Sequence, residues 1–310
     1  MWKHLLQEFG LKGVRMIVAI TGASGVIGKA VSEYLEADGH TIIRISRNPE
    51  IADVHWNPST GLIDAKGLNG INAMVHLAGE NIGGRRWSKK QKTEIYESRI
   101  KGTELIASTL ANLNSPPEVF LSGSAIGFYG DCGSTEVDES FPSGEGFLAK
   151  VAADWEKSTR IAEEAGIRVA HLRTGIILDP MSGMLQKMLP LFKFGLGGKL
   201  GNGSQYWSWI SLKDEVRLIS WLLSSNISGP VNLSAPNPVT NAEFTRELGK
   251  ALNRPTVISV PSFGPGIIAG RELAKELIFT STRALPSIPI SHGFEFTYSR
   301  LDTTLKEILK

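Results

Sequence analysis

The twelve residues from Ile17 to Gly28, IVAITGASGVIG, constrain this chain more than any other stretch. Ile17, Val18, Ala19 and Ile20 form a short continuous apolar run, the pattern of a strand covered on both faces. Gly22, Gly25 and Gly28 follow at regular spacing. Ala30, Val31, Tyr34 and Leu35 then recur at helical spacing, and Gly39-His40 ends the helix. A phosphate needs close approach to backbone N–H groups and to the positive end of a helix, and glycine permits that approach. In a strand–turn–helix setting the three glycines read as a dinucleotide-binding fingerprint. The plain alternative is glycines in an ordinary strand-to-helix turn.

The next strand decides which dinucleotide. Thr41 to Ile45 closes at Ser46-Arg47. An acidic residue at that point suits the ribose diol of NAD, whereas arginine accommodates a 2′-phosphate. No acid stands at Ser46, Arg47 or Asn48. Arg47 therefore argues for NADP(H), with Ser46 as a hydrogen-bond donor; a solvated surface arginine is the alternative.

Strand and helix patterns then alternate. Val54 to Trp56 and Ala73 to Ala78 read as strands, the second ending at Gly79. His76 within it reads as a satisfied core histidine. A helix from about Lys89 to Leu113 contains Gly102, which implies close packing there, and Pro116-Pro117 breaks it. Val119 to Leu121 is a strand running into Ser122-Gly123-Ser124; Gly146 to Ala165 is an amphipathic helix; Val169 to Arg173 is a strand. This is an α/β pattern, a Rossmann-type doubly wound parallel sheet with right-handed crossovers.

After Asp179-Pro180 the pattern loosens. Met184 to Phe194, Asp214 to Leu223 and Asn241 to Leu252 read as helices, the last capped by Thr240 or Asn241. Tyr206 to Ile210 and Val231 to Leu233 read as strands. GLGGKLGNG, Gly195 to Gly203, is too rich in glycine for a regular element. The expected division is an extension over 1–14, an NADP-binding domain over 15–180 to which strands from about 206–234 return, and a cap with a small carboxy-terminal domain over 181–310.

Composition excludes several classes. At 310 residues with 42% apolar and 21% charged residues, the chain suits a soluble globular protein. A net charge of +2 gives no reason to expect nucleic acid or an anionic membrane as partner. The one cysteine, Cys132, excludes an intrachain disulfide and fits a reducing, cytoplasmic setting; it reads as a bystander thiol. No metal site is expected, and oligomeric state stays open.

The motifs together resemble a known family. TGASGVIG resembles the T-G-x-x-G-x-x-G fingerprint of the extended short-chain dehydrogenases/reductases. HLAGENI, the RRW and SRIKGT segments, SGSAIGFYG, FLAKVAADWE and GLGGKLGNGSQYWSWISLKDEV resemble the subgroup called epimerase family proteins. SAPNPVTNAEF and the tail from Arg283 through GFEF resemble that subgroup's small carboxy-terminal domain. The likeness runs from about Arg15 to Lys310. It implies NADP binding. Gly22, Ser24, Gly25, Val26 and Ile27 would meet the phosphates, Ser46 and Arg47 the 2′-phosphate, and Leu77, Ala78 and Gly79 the adenosine half. Glu94 and Arg99 would contact the cofactor or shape its pocket, or else form a surface charge pair.

The resemblance fails at the usual acid/base. In that superfamily a Tyr-x-x-x-Lys helix lets lysine lower the tyrosine pKa, so that the phenol exchanges a proton as hydride moves. Lys150 fits the lysine, but four residues earlier stands Gly146, and a one-residue slip gives Phe147. Tyr129, in a loop, resembles a tyrosine whose usual role is structural, although it could reach the site. Ser124 best matches the catalytic serine, with Ser122 and Ala125 as rival alignments. Lys150 would anchor a ribose, or be a solvated helix lysine.

A second cluster reads as substrate-facing. Arg86 and Trp87, beside Arg85, follow one strand end, and Lys199, Gln205 and Trp207 lie in the glycine-rich cap segment. Cations beside aromatics suit an anionic ligand with a flat or sugar ring, such as a nucleotide sugar. Of Trp207 and Trp209, one is expected in the core and the other in the cleft. The expected function is an NADP(H)-dependent oxidoreductase or nucleotide-sugar epimerase-like enzyme, with Ser124 or a water beside Gly146 handling the proton. The alternative is a catalytically silent NADP(H)-binding regulator or scaffold.

Overall fold

The computed structural model describes residues 15–310. The expected extension over 1–14 lies outside the described residues. One sheet organises the rest. Its strands are β1 (Ile17–Thr21), β2 (Thr41–Ser46), β3 (Val54–Asn57), β4 (Leu62–Ile63), β5 (Ala73–His76), β6 (Val119–Ala125), β7 (Arg168–Thr174) and β8 (Gly229–Leu233). They lie in the order β8-β7-β6-β5-β1-β2-β3-β4. All neighbours run parallel except β4, which turns back antiparallel on β3.

The central strands are mainly apolar because both faces are covered. Val18 and Ile20 of β1 face one core with Val75, Leu121, Leu172 and Val231. Helices α1 (Val26–Ala37) and α4 (Leu212–Ser224) cover that face through Val31, Leu35, Val216, Ile219 and Leu222. Ala19 faces the opposite core with Met74, Phe120 and Val169, under Ile106, Ala107 and Leu110 of α2 (Lys89–Ala111). Period-two alternation within an unbroken apolar run produces this two-sided burial.

From β1 the chain moves out through β2, β3 and β4, then returns to pair β5 on the other side of β1. Strand order reverses there, so a crevice opens beyond the carboxyl ends of β1 and β5. The smaller unit has its own core, in which Leu185, Leu189, Phe192, Phe244, Leu248, Leu301 and Leu305 meet.

Three sequence expectations are corrected here. The helix expected over Gly146 to Ala165 is two helices, α3 (Phe147–Lys157) and a short turn over Arg160–Glu164. The Thr159 hydroxyl donates to the Glu156 carbonyl at 2.8 Å and meets His171 Nε2 at 2.9 Å, the competing side-chain bonding that interrupts a helix. The glycine-rich stretch does hold a regular element: Gly198–Leu200 pairs parallel with Ile258–Val260. A Cβ at Gly198 would collide with the Ile258 carbonyl oxygen, so glycine allows the pairing rather than preventing it. Finally, Trp207 and Trp209 are both buried in the smaller core. Residues two apart in extended chain share a face, so one could not turn to the cleft while the other turned away.

Candidate active site

The crevice is a cleft of about 1020 Å³. Gly22, Ser24 and Gly25 line it at the glycine turn, and Leu77, Ala78 and Gly79 at the end of β5. Ser46, Arg47 and Asn48 line it at the end of β2, and Glu94, Glu97, Ser98 and Lys101 on α2. The side chains of Val26 and Ile27 point elsewhere: Val26 is the exposed first residue of α1, and Ile27 packs against the core.

The turn is built for close approach. Gly22 has φ +69°, and a Cβ there would lie 2.9 Å from the Leu77 carbonyl carbon. A Cβ at Gly28 would strike the Gly22 carbonyl oxygen, so that glycine lets α1 start tight against the strand. Gly25 is the N-cap of α1 and supplies no side-chain cap, so the helix presents its first N–H groups to the cleft. The opposite wall is held from beneath. The Thr21 hydroxyl accepts the N–H groups of Leu77 at 3.1 Å and Ala78 at 3.2 Å and bonds His76 Nδ1 at 2.7 Å. Burial, with a smaller push from Arg99, drives the His76 pKa down to about 3, so the ring is a neutral partner.

Arg99 stands behind Gly79 rather than along the cleft wall. Its guanidinium donates to the carbonyls of Glu80 at 3.0 Å and Ile95 at 3.1 Å, and burial lowers its pKa to about 10. It is not half of a surface pair with Glu94, whose neighbour is Lys90 at 3.9 Å. Of the lining cations, Arg44 pairs with Glu36 and Lys101 with Glu97 at 3.0 Å. Among the described residues, Arg47 has no ion pair.

Of the three residues expected to carry catalysis, Ser124 and Tyr129 join one network through Glu156 and Arg173, while Lys150 pairs with Asp154. Tyr129 is buried; its hydroxyl donates to Asn232 Oδ1 at 2.7 Å and accepts from Arg173 at 2.9 Å. Burial pushes its pKa up to about 12, against the pull of Arg173. Its hydroxyl is held inside the fold by these two bonds. Replacing Tyr129 with phenylalanine should cost about 1–3 kcal/mol in urea denaturation, because two buried partners lose their bond. Ser124 donates to Glu156 Oε1 at 2.7 Å, and Arg173 grips Glu156 through two bonds of 2.8 and 2.9 Å. Ser122 is buried with no partner for its hydroxyl, and Ala125 is half-buried at the strand end. Lys150 is exposed and bonds Asp154 at 2.5 Å, which raises its pKa.

The space beside Gly146 holds the Glu276 carboxylate. Its φ of +108° is a conformation for glycine, and a Cβ there would lie 2.8 Å from Glu276 Oε1. That carboxylate accepts the N–H of Phe147 at 3.3 Å and of Leu148 at 3.1 Å. The free N–H groups at the start of α3 draw it in. Gly146→Ala should therefore destabilise the fold by about 2–3 kcal/mol, from the positive φ and the displaced carboxylate, as read by urea denaturation.

The expected substrate residues scatter. Arg86 donates to the Ile267 carbonyl, and Trp87 bonds the Ile82 carbonyl at 2.9 Å while meeting the Phe147 ring edge-on at 5.2 Å. Lys199 sits on the short cap strand; Gln205 is buried and donates to the Leu200 carbonyl at 3.4 Å. Trp207 packs against Phe244 at 5.2 Å inside the cap, which leaves it no ligand-facing surface. Sequence reasoning missed Glu276, Glu156 and Arg173: Glu156 ends the quoted segment FLAKVAADWE and Arg173 the expected strand, but nothing local gives either a role, and no motif surrounds Glu276. Among the described residues, no group of His, Cys, Asp or Glu is placed to hold a metal, and no helix is long and apolar enough to cross a membrane.

Residues 18–234 match the family model described as NAD dependent epimerase/dehydratase family. The chain belongs to that family. Residues 260–308 match a second model, a domain of unknown function. An epimerase family protein of Mycobacterium bovis is 44% identical over 292 residues, covering 93% of this chain and 96% of its own. The human epimerase family protein SDR39U1 is 32% identical over 298 residues, covering 95% of this chain and 100% of its own. A crystal structure of human SDR39U1, isoform 2, with NADPH superimposes with a TM-score of 0.87 at 31% identity, over 94% of this chain and 99% of that one. The extended short-chain dehydrogenase/reductase fold and the family assignment drawn from the motifs thus stand.

Proposed function

We propose that the chain is an NADP(H)-dependent oxidoreductase or epimerase acting on a small anionic or sugar-like molecule, a nucleotide sugar being the model case. The observation that carries the cofactor is Arg47, a cation without an ion pair on the rim of a cleft whose other end is the glycine turn. The fit of a dinucleotide rests on that turn: Gly22 and Gly28 leave no room for a Cβ, and α1 starts uncapped. The NADPH in the human relative's structure supports the same reading.

In this reading the start of α1 with Gly22, Ser24 and Gly25 receives the pyrophosphate. Ser46 and Arg47 hold the 2′-phosphate; Leu77, Ala78 and Gly79 flank the adenosine half; Glu94 faces the ribose hydroxyls. Arg99 acts at one remove by keeping Gly79 and Glu80 in place. Lys150 anchors the nicotinamide ribose on exchanging Asp154 for it, and Ser124 orients the substrate's oxygen. When bound, the dinucleotide supplies hydride transfer, and the protein supplies orientation. The smaller carboxy-terminal unit closes the substrate side.

Titrating the protein with NADPH and NADH should show at least tenfold tighter binding of NADPH. Equal affinities would remove the role given to Arg47. Incubation with NADPH and a panel of carbonyl compounds and nucleotide sugars should show cofactor oxidation or epimer formation. Tight NADPH binding with no turnover across the panel would favour the silent regulator instead.

A further inference from the structure

One segment of the smaller unit sorts its charges onto two sides. It consists of a short helical turn, Arg271–Leu273, and a π-helix, Ala274–Phe279. Its acids are engaged with α2 and α3: Glu272 accepts from Lys92 at 2.5 Å, and Glu276 accepts from the N–H groups of Phe147 and Leu148. Its cations are not so engaged. Arg271 and Lys275 both line a cavity of about 580 Å³, and among the described residues neither has an ion pair. Like charges four residues apart on a helical stretch repel, and an anion between them would relieve that repulsion. The acids that could have neutralised them are tied up on the other side.

The rest of the wall is apolar. Phe263, Ile267 and Phe279 line the same cavity, and Ser262 adds a hydroxyl. Phe263 is 67% and Ile267 64% exposed, so apolar surface lies open to water beside the two cations. The π-helix is a second sign of a ligand site. Such winding is rare and recurs where proteins bind something. Here it carries both Lys275 and Phe279, a cation and a ring on one cavity wall. The cavity has the size of ordinary small-molecule sites and shares no lining residue with the dinucleotide cleft. We propose that it is a second binding site, which takes an amphipathic anion. A carboxylate or phosphate head sits between Arg271 and Lys275, where the guanidinium fork suits either group. An apolar chain or ring lies against Phe263, Ile267 and Phe279. The site stands independently of the oxidoreductase reading above.

Calorimetric titration of the full chain with decanoate, decyl phosphate and decanol tests this. At least one of the two anions should bind with a Kd of about 10–300 µM, and decanol at least about tenfold more weakly. The tighter anion identifies the head group. The chain carrying both Arg271→Gln and Lys275→Gln should bind that anion at least about tenfold more weakly. Its thermal midpoint should stay in place, because both side chains are exposed. Phe263→Ser should weaken binding about five- to tenfold through the lost apolar cover. Bound anion should slow amide hydrogen exchange between residues 262 and 279, and added salt should weaken it. Saturating NADPH should leave its Kd within about twofold, since the two sites share no residue. Neither anion binding at about 1 mM would overturn the proposal. So would decanol binding as tightly as the anions, or native affinity in the double variant. Displacement of the anion by NADPH would place the probe in the dinucleotide cleft and overturn it as well.

Discussion

From pH 4.5 to pH 8 a Glu215→Gln variant should gain up to about 5 kcal/mol of stability relative to this chain. Glu215 is wholly buried at the start of α4; one oxygen accepts from the Thr174 hydroxyl at 2.8 Å and the other has no partner. Burial therefore raises its pKa from 4.5 to about 8, with Thr174 pulling only slightly the other way. The folded chain holds a proton that the unfolded chain has released. The associated stability is complete below pH 4.5, declines as pH rises, and is gone above about 8. His76 slopes the opposite way. Its folded pKa of about 3 lies below the ordinary 6.5, so its contribution is complete above 6.5 and is lost as pH falls through 3. Each slope is about 1.4 kcal/mol per pH unit, so the two cancel between pH 4.5 and 6.5 and leave a plateau. Urea denaturation from pH 5 to pH 9 reads this directly. Glu215→Gln leaves an amide N–H without a partner, a fixed offset; the slope is the test. Native and variant stabilities falling in parallel from pH 6.5 to 8 would show that Glu215 does not titrate as described.

What could be read from residues alone is what local physics decides. IVAITGASGVIG spells its strand, turn and helix in adjacent positions, and the structure keeps each boundary there. Arg47 could be named because it follows a strand end by one residue. Glu276 could not, because its partners lie 129 and 128 residues earlier and nothing near it forms a motif. Gly146 looked like an empty place because a missing side chain says nothing about what fills the space. Ser124 and Tyr129 sat in a recognisable segment, yet their chemistry depends on Glu156, Arg173 and Asn232, on three other elements. Trp207 is a case of residue type misleading: an aromatic near glycines suits a ligand or a core equally, and only the position of Phe244 decides.

Arg47→Asp should weaken NADPH binding by about 100- to 1,000-fold while leaving NADH binding unchanged or somewhat tighter. The loss has two parts. A charge-assisted bond between guanidinium and phosphate contributes about 1.5–3 kcal/mol, roughly 10- to 150-fold. A carboxylate in its place then repels the 2′-phosphate and can accept from the ribose diol of NADH instead. The neighbouring cations do not compensate readily. Arg44 is tied to Glu36 and Lys101 to Glu97, so turning either toward the phosphate breaks an existing pair. Arg47 is exposed and makes no buried contact, so the substitution should leave the urea midpoint in place and any change in affinity reports on the cofactor. Salt gives an independent reading. The native preference for NADPH should shrink as ionic strength rises, because an exposed pair is screened, and the variant's preference should not. An unchanged NADPH-to-NADH affinity ratio in Arg47→Asp would mean that the 2′-phosphate is held elsewhere along the cleft, with Lys101 or Arg44 next to be replaced.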